Sequence, residues 1–217
     1  MPKLVIFDMD GTILDTEPIS LEGMIYAAKK MGHTMTRELF NEFIGRNERH
    51  ARRLVAERFG VDFDYDKSAA LRQQYIDDYI AKNGMPLKKG LHVLFDWLES
   101  LGIKKCVATS TARKNALKKL GIAGLVHRFE SVLGGDDVIE SKPEPEIFLK
   151  AAANCGTKPH ECLVIEDSIA GATGSFRAGI PYILVPDIAP LTEEVKSRAL
   201  AVCRDLEEVA SLLRKKI

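Results

Sequence analysis

No two of the four cysteines, Cys106, Cys155, Cys162 and Cys203, are spaced as a C-x-x-C pair. This excludes the usual zinc and dithiol-redox patterns and leaves reduced, buried thiols as the expectation. The chain also lacks charge of one sign, with 31 basic residues against 31 acidic ones. A phosphate-backbone reader normally carries a basic excess, so nucleic acid is not the expected partner. Small anionic substrates, which need only a few local cations, stay open. Nowhere do about 18 apolar residues run together, and the apolar stretch between Lys3 and Asp8 is too short for a signal peptide. No membrane association and a cytoplasmic location are the defaults. Internal repeats and low-complexity tracts are absent, and nothing in the residues speaks to oligomeric state.

What is present is a set of short, nearly uninterrupted apolar runs at 4–7, 106–108, 131–133, 163–165 and 182–185. Without period-2 alternation, such runs read as strands of a parallel sheet covered on both faces. Helical patterns at 92–101, 112–120, 146–155 and 169–178 stand between them, and each is followed by glycine: Gly102, Gly121, Gly156 and Gly179. Strands alternating with such helices predict an α/β doubly wound parallel sheet. Residues 16–87 break the alternation. They predict four helices, at 21–31, 37–44, 48–59 and 66–83, parted by Gly32, Gly45 and Gly60. The expected organisation is an α/β core of residues 1–15 and 88–217 with an inserted helical domain of residues 16–87.

The sharpest motif is Asp8-Met9-Asp10-Gly11-Thr12, at the end of the first strand. Ligands of open α/β sheets bind at the carboxyl ends of strands. Residues two apart in extended chain point the same way, so Asp8 and Asp10 can converge while Gly11 lets the backbone turn. Adjacent carboxylates repel, and a Mg²⁺ ion would relieve them and screen an incoming phosphate. Asp8 then suits a nucleophile and Asp10 a general acid and base. The blander reading is a turn pair. Four specified residues in a window of five recur by chance roughly once in 10⁵ windows, which favours the chemical one.

This motif resembles the first motif of the haloacid dehalogenase superfamily, in its branch of β-phosphoglucomutases and phosphoglycolate phosphatases. The resemblance implies three further parts, in order. Thr109, ending the run Lys105-Cys106-Val107-Ala108, matches the second motif; its hydroxyl and the Ser110 N–H, at the start of the following helix, would hold phosphate. Lys142, in Lys142-Pro143-Glu144-Pro145, matches the phosphate-screening lysine. Glu166-Asp167, after Leu163-Val164-Ile165, matches the acidic fourth motif, so that the metal set would be Asp8, Asp10 (through its carbonyl), Glu166 and Asp167. The helical insert matches a cap that closes over the site and shapes substrate choice.

Dehalogenases of the superfamily lack the second Asp, so Asp10 implies phosphoryl transfer. The implied function is a Mg-dependent phosphatase acting on a small phosphorylated metabolite, sugar phosphates included, through an aspartyl-phosphate. The alternatives are a β-phosphoglucomutase-like mutase and, from another class, a non-catalytic phosphate-binding or regulatory module. The mutase has a His where this chain has Ser20, and an Arg three residues after a Gly where Gly45 is here followed by Glu48 at that offset. A basic group in the insert (Arg46, Arg49, His50, Arg52, Arg53) reads more simply as a solvated face than as an anion site. Arg113 and Lys114, just after the second motif, are candidates for touching phosphate.

Overall fold

The computed structural model describes residues 1–42 and 48–215. The chain divides into two compact units, Met1–Asp15 with Met85–Ile217, and Thr16–Gly84.

The larger unit is built on a six-stranded parallel sheet. The strands are β1 (Leu4–Phe7), β2 (Lys104–Ala108), β3 (Ser131–Leu133), β4 (Cys162–Glu166), β5 (Tyr182–Leu184) and β6 (Ala201–Val202). Their order is β3-β2-β1-β4-β5-β6. β1 is central: Phe7 pairs with Val107 on one side and Ile165 on the other. The chain builds outward through β2 and β3, then returns to the far side of β1 for β4. The strand order reverses at β1, and a crevice opens at the carboxyl ends on such a switch point.

Every residue of β1 and β4 is buried, as expected for runs without alternation. Leu4 and Ile6 belong to a core formed with α7 (Glu146–Asn154), through Ile147, Phe148 and Ala151, and with Ala172 of α8 (Ile169–Arg177). On the other face Phe7 meets Phe95 of α5 (Leu91–Ser100) edge to face, with ring centroids 5.1 Å apart. Helix α5 packs on α10 (Leu206–Arg214), and Gly90 permits the approach, because a Cβ there would stand 2.2 Å from the Glu207 nitrogen. All four cysteines are buried and free.

Two sequence expectations need correction here. Gly121 does not end its helix: α6 spans Arg113–Ile122, and the left-handed turn falls at Gly124 (φ 70°). The Leu125 N–H then bonds back to Leu120 O, the usual closure of a glycine-terminated helix. Because α6 starts at Arg113 behind an Ala112 cap, Ser110 lies in the loop ahead of it, not at the helix start. The sheet also gains β6, with α9 (Glu193–Arg198) before it and α10 after it. The apolar run 199–203 does mark β6, but Leu200 and Val202 are half exposed and only two residues pair.

The smaller unit contains α1 (Glu17–Lys30), α2 (Arg37–Asn41), α3 (Glu48–Phe59) and α4 (Tyr65–Asn83). Pro18 lies in the first turn of α1, where its missing N–H is harmless. Helices α1 and α4 pack through Tyr26 and Tyr75, and the Tyr75 hydroxyl donates to Glu22 (2.8 Å). Of the basic group, Arg52 pairs with Asp66 and Arg53 with Glu57, consistent with a solvated face. Arg46, and the side chains of Arg49 and His50, lie outside the described residues. No described helix is long and apolar enough to cross a membrane.

Candidate active site

Three strand ends supply the site. At the end of β1 the Asp8 N–H donates to Ile165 O of β4 (3.0 Å), which extends the ladder by one bond. The chain then turns at Gly11 (φ 86°), a conformation L side chains avoid. Space adds a second constraint: a Cβ on Gly11 would meet Asp167 Oδ2 at 2.3 Å.

Lys142 reaches in from the loop before α7. Its Nζ donates to Asp8 Oδ1 (2.5 Å) and Glu166 Oε1 (2.7 Å), and it lies 5.1 Å from the centroid of the Phe148 ring. The side chains of Lys142 and Glu166 are almost wholly buried. Glu166 Oε2 accepts from the N–H groups of Asp167 and Ser168 (2.9 Å each) and from Ser168 Oγ (2.8 Å). Both Glu166 oxygens are therefore engaged. Gly171 makes room for them, since a Cβ there would stand 1.7 Å from Glu166 Oε1.

Asp8, Glu166 and Asp167 each bring an oxygen within 4.8 Å of the others. Three carboxylates thus face one ammonium. Burial pushes the Asp8 carboxyl up to about 7; Lys142 opposes the rise, and the Glu166 and Asp10 charges add to it. Burial, then the Glu166, Asp8 and Asp187 charges, push Asp167 to about 9. Burial works against the Lys142 charge, but Asp8 and Glu166 overcome it and hold the ammonium above its usual range. Without a further cation the cluster relieves its repulsion only by taking up protons. An all-oxygen donor set with excess negative charge fits a hard divalent ion such as Mg²⁺.

The Asp10 carboxylate is held apart from this cluster. Its Oδ2 accepts from Thr111 Oγ1 (2.7 Å) and its Oδ1 from Lys119 Nζ (2.7 Å). Thr109 is buried, and its Oγ1 accepts from the Thr111 N–H (3.1 Å). Thr111 therefore ties the loop after β2 to the loop after β1. Ser110 is exposed. The Arg113 N–H donates to Asp136 Oδ1 (2.6 Å), and its guanidinium lies 3.9 Å from Asp137. Sequence reasoning did not reach Thr111, Lys119 or Asp187, whose carboxylate accepts from Lys88, itself also a donor to Asp15. Asp187 carries a usable signal, since like Asp8 and Asp167 it follows the end of an apolar strand.

Comparison with known proteins agrees with this geometry. The family model described as haloacid dehalogenase-like hydrolase matches residues 5–185. The chain is 32% identical to a Drosophila melanogaster protein named as a probable pseudouridine-5'-phosphatase, over 94% of this chain and 89% of that one. It is 29% identical to a phosphorylated carbohydrates phosphatase of Thermotoga maritima, over 83% of each chain. A crystal structure described as a putative beta-phosphoglucomutase from Thermotoga maritima superimposes with a TM-score of 0.84 at 26% identity, over 99% of both chains.

Proposed function

The chain belongs to the haloacid dehalogenase-like hydrolase family, and from that premise we propose that it is a Mg²⁺-dependent phosphatase of small phosphorylated metabolites, working through an aspartyl-phosphate on Asp8. One observation carries this reading: the Asp8 carboxylate lies within 4.8 Å of Asp167 and Glu166 and is bridged to Glu166 by a buried lysine. The names of the two phosphatase relatives support a phosphomonoester substrate.

In this reading an Asp8 oxygen attacks phosphorus and the bond to the leaving oxygen breaks, while Asp10 delivers a proton to the departing alcohol. Water then attacks the acyl phosphate, Asp10 takes its proton, and phosphate leaves with Asp8 restored. Acid–base help of this kind contributes ~10²–10⁴-fold. Lys142 offsets the charge that gathers between Asp8 and the phosphoryl oxygens, a fixed electrostatic contribution needing no reorganisation. The Thr109 hydroxyl and the Ser110 N–H take phosphoryl oxygens. The Asp8 and Asp167 carboxylates and the Asp10 carbonyl would hold Mg²⁺, which keeps Asp8 ionised and screens the substrate dianion. Glu166, expected as a further oxygen donor and close enough to serve as one, is given the duty of holding Lys142 in this reading, since its Oε1 accepts from that ammonium and its Oε2 from three donors in the following turn.

The test is phosphate release from a generic aryl phosphate with and without Mg²⁺, followed by a panel of sugar phosphates and nucleoside monophosphates. Mg²⁺-dependent release is the expected result. Isomerised sugar phosphate without net release would replace the phosphatase with a mutase, and no turnover of any phosphate ester would leave a binding module.

A further inference from the structure

Asp187 stands two residues beyond Val185, at the carboxyl end of β5 beside β4. Its side chain is only 10% exposed, and its two oxygens have unequal surroundings. Oδ1 accepts from Lys88 Nζ (2.8 Å), which also donates to Asp15 (3.2 Å). Oδ2 is buried and has no hydrogen-bond partner among the described residues. The point where a Cβ on Gly11 would stand lies 3.1 Å from this oxygen and 2.3 Å from Asp167 Oδ2. A lone carboxylate oxygen is thus aimed at the same small space as one of the proposed metal ligands.

Buried polar atoms are rarely left without a partner, and an exception calls for a specific occupant. Asp187 is not a member of the group whose oxygens lie within 4.8 Å of one another, so direct coordination is not what its position offers. Lys88 already occupies its other oxygen. What Oδ2 lacks is a donor, and the donor must tolerate a second carboxylate nearby. A water bound to a cation meets both conditions: the ion holds its oxygen, and its hydrogens point outward. Mg²⁺ keeps several waters when only one or two carboxylates bind it.

We propose that Asp187 is a positioning residue of the metal site, its Oδ2 accepting a hydrogen bond from a water on the cation held by Asp8 and Asp167, with Lys88 fixing the carboxylate through Oδ1. Gly11 is then required twice over, for its backbone conformation and for leaving this space open. The inference rests on the metal reading above.

Titration with MgCl₂ from a chelator-treated baseline, read as the thermal unfolding midpoint, tests it in wild type, Asp187→Ala, Asp187→Asn and Asp167→Asn. Losing an outer partner of a metal typically costs 10–100-fold in affinity. The Mg²⁺ concentration giving half the stabilisation should therefore rise ~10–100-fold in Asp187→Ala. It should rise less in Asp187→Asn, whose amide oxygen can still accept, and the response should vanish in Asp167→Asn. If Asp187→Ala lowers the metal-free midpoint but leaves the Mg²⁺ dependence as in wild type, Asp187 is only the partner of Lys88 and the proposal fails. If wild type itself gains nothing from Mg²⁺, the metal reading fails first and carries this one with it.

Discussion

Lys142 places its ammonium 2.5 Å from the Asp8 carboxylate across 134 residues of chain. Glu166, on the strand next to β1, holds the same ammonium from the other side. The nucleophile proposed here is thereby oriented by a buried cation whose own position is fixed. Lys142→Met should lower kcat by about 10²–10³-fold, the scale seen when one preorganised electrostatic group is removed. Lys142→Arg should not restore it, because a planar fork cannot replace a compact ammonium between two carboxylates. Steady-state kinetics on an aryl phosphate reads both, and wild-type turnover in either variant would remove Lys142 from the mechanism.

Glu166 and Asp167 are adjacent acids with different proposed duties, and neutral variants separate them. Asp167→Asn should abolish the Mg²⁺ dependence of thermal stability. Glu166→Gln should keep a Mg²⁺ response of similar midpoint while losing at least about 10-fold in kcat, since Lys142 loses one anchor and the cluster one charge. Equal loss of the Mg²⁺ response in both variants would return Glu166 to the ion.

Two glycines in helices should respond to alanine in opposite senses. Nothing lies within 4 Å of a Cβ at Gly121, and its backbone is helical. Gly121→Ala should therefore stabilise by about 0.4–1 kcal/mol through the unfolded state. A Cβ at Gly171 would overlap the Glu166 carboxylate, so Gly171→Ala should destabilise by about 1–3 kcal/mol, as forced overpacking does, and should lower kcat as Glu166 shifts. Urea melts of the two variants read the signs. A stabilised Gly171→Ala would contradict the packing described here.

Away from the site, Glu99 accepts from Arg128 (2.8 and 2.6 Å) and Lys105 (2.8 Å). Arg128 first, and Lys105 after it, lower its carboxyl to about 2, against the effect of burial. A folded-state value below the unfolded one means stability that is present above about pH 4.5 and lost as pH falls toward 2. Glu99→Gln should flatten that part of the acid limb. At pH 7 it should cost about 1 kcal/mol or less, because the side chain is 41% exposed and solvent screens the pairs. An unchanged acid limb between pH 4.5 and 2 would show that these pairs contribute nothing to stability.

Much of the core is legible in the residues because burial on both faces leaves uninterrupted apolar runs, and β1 and β3 fall where such runs do. The Asp8 to Thr12 motif is legible for the same reason, as it sits at a strand end. The placement of Lys142 is legible only through the family resemblance, since its distance from Asp8 depends on how β1 and α7 pack. The contact of Glu166 with Lys142 is also hidden, since an acid at a strand end can face an ion, a lysine or both. Thr111 and Lys119 escape because nothing local marks them as partners of Asp10. The helix end misplaced at Gly121 shows the limit of glycine as a stop signal, for α6 continues through it and turns at Gly124.

The proposed mechanism has Asp8 carry the phosphoryl group during turnover. Wild type and Asp8→Asn would be mixed with an aryl phosphate and Mg²⁺, quenched in acid within one turnover, and digested for peptide mass spectrometry. The wild-type peptide that contains Asp8 should carry a phosphoryl increment. Asp8→Asn should show neither the increment nor turnover, while keeping a wild-type circular dichroism spectrum. A variant that retains most of its activity, or a phosphoryl group found on another residue, would contradict this mechanism.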